Sequence, residues 1–120
     1  MQNLNVLAVL RTELMDSTGV NVSTAVPSPH PESFIVLNRF GGAKENGLID
    51  APYIDMDIYA TTELRAYELA EKVRDCMGNL DFAKGFARVT ETEFKQDNDM
   101  ELKLPRWYAQ YQLKTYKPIS

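Results

Sequence analysis

Asp55 and Asp57 are the strongest candidates for chemistry in this sequence. Two residues apart on a strand, they would project both carboxylates from one face. Such a pair could bind a divalent cation or work as acid and base. No third acid, histidine or glycine-rich turn lies directly beside them. We therefore interpret the pair as part of the solvated outer face of a strand, and we expect neither metal binding nor catalysis there.

The other reactive side chains also lack partners in the sequence. His30 is the only histidine and stands between two prolines, which indicates an exposed loop. Cys76 is the only cysteine, so no intramolecular disulfide can form, and its place on an apolar helical arc favours a buried structural thiol. Lys44 follows two glycines, but Glu45 comes next where a phosphate-binding loop needs Ser or Thr. We expect no enzyme activity, no cofactor and no metal.

Length and composition favour one domain over residues 1–120. The chain is 44% hydrophobic and 25% charged, which is ordinary globular usage. Its formal net charge is −4 and no basic cluster occurs, which argues against tight binding of nucleic acid. The longest apolar run, residues 6–10, is far shorter than the roughly 20 residues that span a bilayer. Because the start of the sequence has no basic segment, we expect no export, synthesis in the cytoplasm and no membrane association.

Hydrophobic periodicity divides the first half of the chain into a helix and three strands. Leucines at three- and four-residue intervals predict a helix over residues 3–16, and β-branched residues predict a short strand over residues 20–26. The proline-dense segment 27–31 is an exposed loop. A strand over residues 33–40 is expected to end at Gly41 and Gly42, and residues 41–51 read as a polar loop. Residues 53–60 alternate as a strand buried on one side.

The second half predicts one helix and two strands. Thr61 or Thr62 caps a helix that runs to Met77, and Gly78 or Asn79 supplies a left-handed stop. Residues 82–95 and 107–117 read as strands joined by the polar turn 96–104. The order is αβββαββ, which favours an α+β fold whose mixed, mainly antiparallel sheet carries both helices on one face. The buried arc of the second helix is predicted to comprise Ala66, Leu69, Ala70, Val73, Cys76 and Met77.

Leu64 and Tyr67 depart from that buried arc and point toward the charged side of the helix. Single exposed apolar residues are normal, so the pair is either an isolated exposure or part of a contact surface. Tyrosines expected to point outward on the strands favour a contact surface: Tyr53, Tyr59, Tyr108 and Tyr116. The loops 27–32, 41–50 and 96–104 are long enough to protrude. The candidate interface residues are Leu64, Tyr67, Phe40, Gly41, Gly42, Lys44, Asn46, Asp97 and Asn98.

Three segments in this order resemble the tail terminator and tail-completion proteins of long-tailed bacteriophages. They are the opening amphipathic helix ending in Arg11-Thr12-Glu13-Leu14, the strand Ala51-Pro52-Tyr53-Ile54-Asp55-Met56-Asp57-Ile58-Tyr59-Ala60, and its passage into Thr62-Glu63-Leu64-Arg65-Ala66-Tyr67-Glu68-Leu69-Ala70. The resemblance covers nearly the whole chain in order and length. It rests on shape and composition, without a catalytic motif.

The resemblance implies a subunit of a homo-oligomeric ring, typically a hexamer, in the tail or neck of a virion that is assembled in the cytoplasm of the bacterial host. Its implied partners are the tail tube protein, whose growth the ring halts, and the head-tail connector proteins. An acidic domain suits a passage that DNA traverses without being bound tightly, since a basic lining would hold the phosphates.

Three other functions remain open from the sequence. A head-tail adaptor of the neck shares this size and acidity, although such proteins are usually more helical. A small enzyme of ferredoxin-like topology would need a cleft with convergent titratable groups, which the sequence does not offer. A small-ligand binding module would reveal itself by thermal stabilisation on ligand binding.

Overall fold

A five-stranded sheet with two helices on one face forms the structure, a computed structural model that describes residues 5–44 and 49–116. The elements in chain order are α1 (Val6–Thr18), β1 (Asn21–Ser23), β2 (Phe34–Lys44), β3 (Ile49–Tyr59), α2 (Glu63–Gly78), a short 3₁₀ helix (Phe82–Lys84), β4 (Phe86–Gln96) and β5 (Arg106–Tyr116). The strand order is β1-β2-β3-β5-β4. Strand β1 runs parallel to β2, and the other pairs are antiparallel. The predicted α+β fold and element order are confirmed.

Both helices are fixed at their starts by side-chain caps. Asn5 accepts a hydrogen bond from the Ala8 amide at 3.2 Å, and Thr62 accepts one from the Arg65 amide at 3.2 Å. Helix α1 ends at Gly19, whose φ of 72° is the left-handed conformation that glycine adopts most easily. The left-handed stop predicted for α2 is wrong: Asn79 has a φ of −101°, and its amide bonds to the Cys76 carbonyl instead.

The core lies between the helices and one face of the sheet. The predicted buried arc of α2 is confirmed in full, and α1 contributes Val6, Leu10 and Leu14. Alternate residues of the strands face these helices: Ile35 and Leu37 on β2, Ile54, Met56 and Ile58 on β3, and Ala109, Tyr111 and Leu113 on β5. The period-two pattern predicted for β3 and β5 is therefore confirmed, because one face of each strand is covered.

The hairpin of β2 and β3 corrects the prediction of a polar loop over residues 41–51. Strand β2 does not stop at Gly41 and Gly42 but continues to Lys44, which pairs with Asp50. The register shifts between Arg39 and Gly41, and Gly42 has a φ of 92°. A Cβ at Gly42 would collide with the Ala51 carbonyl oxygen, so the close approach of the two strands requires glycine here. Strand β2 therefore continues through both glycines.

Two further predicted strands have different bounds. The strand expected over residues 20–26 is only the three-residue β1. The strand expected over residues 82–95 begins at Phe86, because residues 82–84 form a 3₁₀ turn. Asp81 caps that turn by accepting from the Lys84 amide at 3.1 Å, and Gly85 ends it with a φ of 100°. In the described residues, neither helix has the length and apolar character needed to cross a bilayer.

Candidate interaction surfaces

The candidate interface residues fall into two groups at opposite ends of the sheet. The end that carries the segment 97–105 between β4 and β5 is called the loop end, and the tip of the β2–β3 hairpin is the hairpin end. Leu64, Tyr67, Asp97 and Asn98 lie at the loop end. Phe40, Gly41, Gly42 and Lys44 lie toward the hairpin end, and Asn46 is outside the described residues. Strands of this length place the two ends roughly 30 Å apart.

An aromatic patch at the loop end contains both predicted helix residues. Leu64 is 68% exposed and Tyr67 is 45% exposed. The Tyr67 ring lies 5.5 Å from that of Trp107, which in turn lies 4.8 Å from Phe94. The Arg74 guanidinium sits 4.2 Å from the centre of the Phe94 ring, in cation–π geometry. We define these residues, Leu64, Tyr67, Phe94 and Trp107, as the aromatic patch. Its use as a contact surface stays a prediction.

Arg106 holds the segment 97–105 against the end of the sheet. Its Nε donates to the Asp97 carbonyl at 2.7 Å, its Nη2 to the Asp97 carboxylate at 3.2 Å and its Nη1 to Asp99 at 3.3 Å. The Asn98 amide group accepts from the Arg106 backbone and donates to Glu63 at the start of α2. The contacts of Asp97 and Asn98 in the structure therefore stabilise the conformation of their own loop. Their predicted role as partner contacts remains a prediction.

Tyr59, on β3, completes this set of contacts. We call Tyr59, Asp97, Asp99 and Arg106 the clamp. Its hydroxyl donates to Asp99 Oδ2 at 2.8 Å and accepts from Arg106 Nη1 at 3.3 Å. Burial raises the pKa of Tyr59 to about 12, so the hydroxyl stays protonated and keeps donating. The pKa of Asp99 is lowered, mainly because the carboxylate accepts a hydrogen bond from the backbone amide of Leu102. The clamp therefore keeps its charges at neutral pH.

The prediction that four tyrosines are available as outward contact residues is wrong for Tyr59. It lies on the sheet face away from the helices, as predicted, but only 2% of it is exposed. The Phe34 ring stacks on it at 4.5 Å, and His30 lies 5.4 Å from Phe34. The alternation of residues predicted the correct face of the sheet. It could not predict the burial of Tyr59, because an aromatic ring on the neighbouring strand covers it.

Met100 is an exposed apolar residue that the sequence analysis missed. It is 82% exposed at the tip of the loop, where Asp99 and Leu104 exchange two backbone hydrogen bonds at 3.0 and 3.2 Å. Asp99 Oδ1 accepts from the amides of Glu101 and Leu102 and so fixes the turn. The alternation of Met100 and Leu102 with charged residues in this turn was the available signal.

The sheet face away from the helices carries Asp55 and Asp57, on one face as predicted. Asp55 accepts a 3.4 Å contact from the Tyr108 hydroxyl, and Asp57 lies 4.0 Å from the Arg106 guanidinium. Desolvation raises the pKa of both carboxyls. No group of three or more His, Cys, Asp or Glu side chains suited to a metal ion occurs in residues 5–44 and 49–116.

The hairpin end carries a second set of aromatic residues. Phe40, which is 45% exposed, lies 5.5 Å from Tyr53. Phe82 is 66% exposed and stacks on Tyr116 at 4.5 Å, and the Tyr116 hydroxyl donates to the Phe82 carbonyl at 2.6 Å. Phe82 was not recognised from the sequence, since a strand was expected there. Both ends of the sheet thus present exposed apolar side chains.

The two isolated reactive residues lie apart from these surfaces. Cys76 is buried as predicted, and burial raises the pKa of its thiol. His30 is exposed in the proline-rich loop, where its Nδ1 lies 3.1 Å from the Pro31 carbonyl. Neither residue adjoins a nucleophile and base in catalytic arrangement among the described residues.

Comparison with known proteins gives a fold likeness and no sequence family. No protein-family model matches the sequence, and no curated protein matches it. A solved chain from the structure titled "Virion of native gene transfer agent (GTA) particle" is similar with a TM-score of 0.69. The match covers 92% of this chain and 94% of that chain at 15% sequence identity. At this identity the likeness concerns the fold, and this α+β architecture is therefore one that a virion chain also adopts.

Proposed function

We propose that this protein is a structural, non-enzymatic component of a phage-like virion that forms a closed ring on the tail tube. The ring stops polymerisation of the tube and presents a joining surface to the head connector. The observation that carries the proposal is the placement of exposed apolar groups at both ends of the sheet, with Leu64 and Tyr67 at one end and Phe82 at the other. The fold likeness to a chain of a virion supports it.

A ring that joins two different structures needs two unlike axial surfaces. Exposed aromatic residues are enriched in protein interfaces, and both ends carry them. The loop end is rigid, because Arg106, Asp99 and Tyr59 hold it. A pre-formed surface loses less entropy on binding. These properties suit a subunit docked between a tube and a connector.

The charge of the chain is compatible with a passage for DNA. A net charge of −4 and the carboxylates Asp55 and Asp57 on the open sheet face would repel phosphates weakly. A basic lining would instead retain DNA by neutralising its phosphates. A neck adaptor remains the alternative within the same class, and the experiment below separates the two.

The test is to mix the purified protein with assembling tail tube subunits and to measure tube lengths by negative-stain electron microscopy. Tubes should shorten or show capped ends that resist extension. A variant with Leu64→Glu and Tyr67→Glu should lose this effect while circular dichroism shows an intact fold, because two carboxylates oppose burial of the aromatic patch.

The matched control adds two carboxylates elsewhere. Thr24 and Ala25 are exposed just after β1, at the opposite edge of the sheet. A variant with Thr24→Glu and Ala25→Glu should still shorten tubes. Unchanged tube lengths at saturating wild-type protein would remove the terminator proposal. Binding to connector proteins without an effect on tube length would favour the neck adaptor.

A further inference from the structure

We infer that Met100 of one subunit inserts into a groove beside α2 of the next subunit, so that this contact links the ring laterally. The inference rests on the proposed ring and names the two patches that such a ring requires. A heterologous ring needs two different, complementary patches on each subunit.

The receiving groove lies between α2 and the segment that joins α1 to β1, and it has a volume of about 300 Å³. Val20 and the buried Leu69 supply the apolar part of its lining, and the rest is polar or charged: Thr18, Ser33, Arg65, Glu68 and Lys72. That volume is at the lower bound for ligand pockets and can accommodate a single long side chain. We call it the α2 groove.

The inserting side chain belongs to a loop that is already ordered. Met100 protrudes from the turn that Asp99 fixes, and Arg106 and Tyr59 hold Asp99 in place. An unbranched thioether side chain adapts to irregular apolar surfaces. A rigid loop with an adaptable tip loses little backbone entropy on insertion.

The two patches lie on opposite sides of the subunit. The loop joins β4 and β5 at one edge of the sheet, whereas the α2 groove adjoins β1 at the other edge. Four strand spacings of about 4.8 Å separate β1 from β4, roughly 19 Å in all. A loop that Arg106 anchors cannot cross this distance within its own chain, so a Met100 that enters the α2 groove has to come from a second copy.

Charge complementarity supports the same occupant. Arg65 and Lys72 make no ion pair within residues 5–44 and 49–116, and together they outnumber Glu68 in the groove. The loop carries three carboxylates, Asp97, Asp99 and Glu101, against the ammonium of Lys103. Arg106 pairs with Asp97 and Asp99, while Glu101, next to Met100, has no ion pair in that part of the chain. Glu101 would therefore meet Arg65 and Lys72 as Met100 enters.

Disulfide trapping tests the contact directly. A disulfide needs Cα atoms within about 7 Å, so subunits that dock as proposed should link Met100→Cys of one to Lys72→Cys of the next and extend into a ladder, whereas random encounters of exposed cysteines give mainly dimers. Mild oxidation is carried out in two conditions: the protein alone at high concentration, and the protein mixed with assembling tube subunits. We expect a ladder of covalent oligomers on a denaturing gel. The wild-type chain should give none, because Cys76 is buried.

The matched control keeps Met100→Cys and moves the second cysteine to Thr90, which is exposed on β4. This variant should give no ladder on the same gel. Absence of a ladder from Met100→Cys with Lys72→Cys in both conditions overturns the inference, as does an equally strong ladder from the control.

Charge reversal gives an independent readout by native mass spectrometry. Glu101→Lys alone and Arg65→Glu with Lys72→Glu should each weaken ring formation by about tenfold or more, because like charges then face each other. The combination of all three should restore it. Unchanged ring formation in every charge variant overturns the inference.

The two proposals can fail separately. Rings that cap tubes but give no trapped oligomers would leave the proposed function intact and remove the Met100 contact. Trapped oligomers with unchanged tube lengths would support the contact and remove the terminator role.

Discussion

The hydroxyl of Tyr59 donates a 2.8 Å hydrogen bond to the Asp99 carboxylate, which joins the end of β3 to a loop 40 residues further along the chain. Asp99 uses its other oxygen to order the turn that carries Met100. The exposed tip is therefore positioned by a contact with the end of the sheet.

Tyr59→Phe should lower the free energy of unfolding by about 1 kcal/mol, because it removes one hydrogen bond and leaves the ring stack on Phe34 in place. The amides of Glu101 and Leu102 should then exchange hydrogen faster. Chemical denaturation and hydrogen exchange measure the two effects. Tyr108→Phe is the matched control, since its 3.4 Å contact with Asp55 is long, and a change within a few tenths of a kcal/mol is expected. Equal effects of the two substitutions would contradict the clamp.

Val73→Asp should prevent stable folding, because Val73 is fully buried on the face of α2 that packs against the core, and an unpaired carboxylate there costs several kcal/mol or more. Lys72→Asp, at the exposed neighbouring position, should be tolerated. Urea denaturation followed by circular dichroism compares the two variants. Similar midpoints would show that the buried face of α2 is assigned incorrectly.

Asp55→Asn should change how stability depends on pH. Burial raises the pKa of Asp55 above its ordinary value of 3.8, so the folded state holds the proton more strongly than the unfolded state does. That contribution favours folding below pH 3.8 and is lost as pH rises through the raised pKa. The wild-type protein loses this contribution between pH 3 and pH 7, and the asparagine variant has none to lose. We therefore expect the difference in unfolding free energy, variant minus wild type, to be more positive at pH 7 than at pH 3. Denaturation at several pH values measures this, and parallel curves for both proteins would contradict it.

Titration of magnesium, manganese or calcium into the protein should give no saturable heat. Asp55 and Asp57 share a face, but a hydroxyl and a guanidinium already neighbour them. Divalent cations of this class prefer six or more oxygen ligands, and two carboxylates supply too few. Isothermal titration calorimetry makes the measurement. Micromolar binding that disappears in Asp55→Ala would show that this face is a metal site.

Local pattern was enough to predict the helices and the buried faces of the strands. The six buried residues of α2 follow from a 3.6-residue period, and Ile54, Met56 and Ile58 follow from alternation, because each period needs only the chain near it. The exposure of Leu64 and Tyr67 follows from the same helical arc. The sequence alone therefore determined the element order, the α+β class and which side of each element faces the core.

The tertiary structure decided the features that depend on a partner far along the chain. Gly41 and Gly42 read as a stop, yet both pair with β3 beyond the register shift between Arg39 and Gly41, and the collision that forbids a side chain at Gly42 comes from Ala51. The loop predicted over residues 96–104 reads as polar and protruding, yet Arg106 and Tyr59, 47 residues apart, hold this loop and expose Met100. Local propensity contains no information about such contacts, because their free energy arises only when the sheet has brought both groups together.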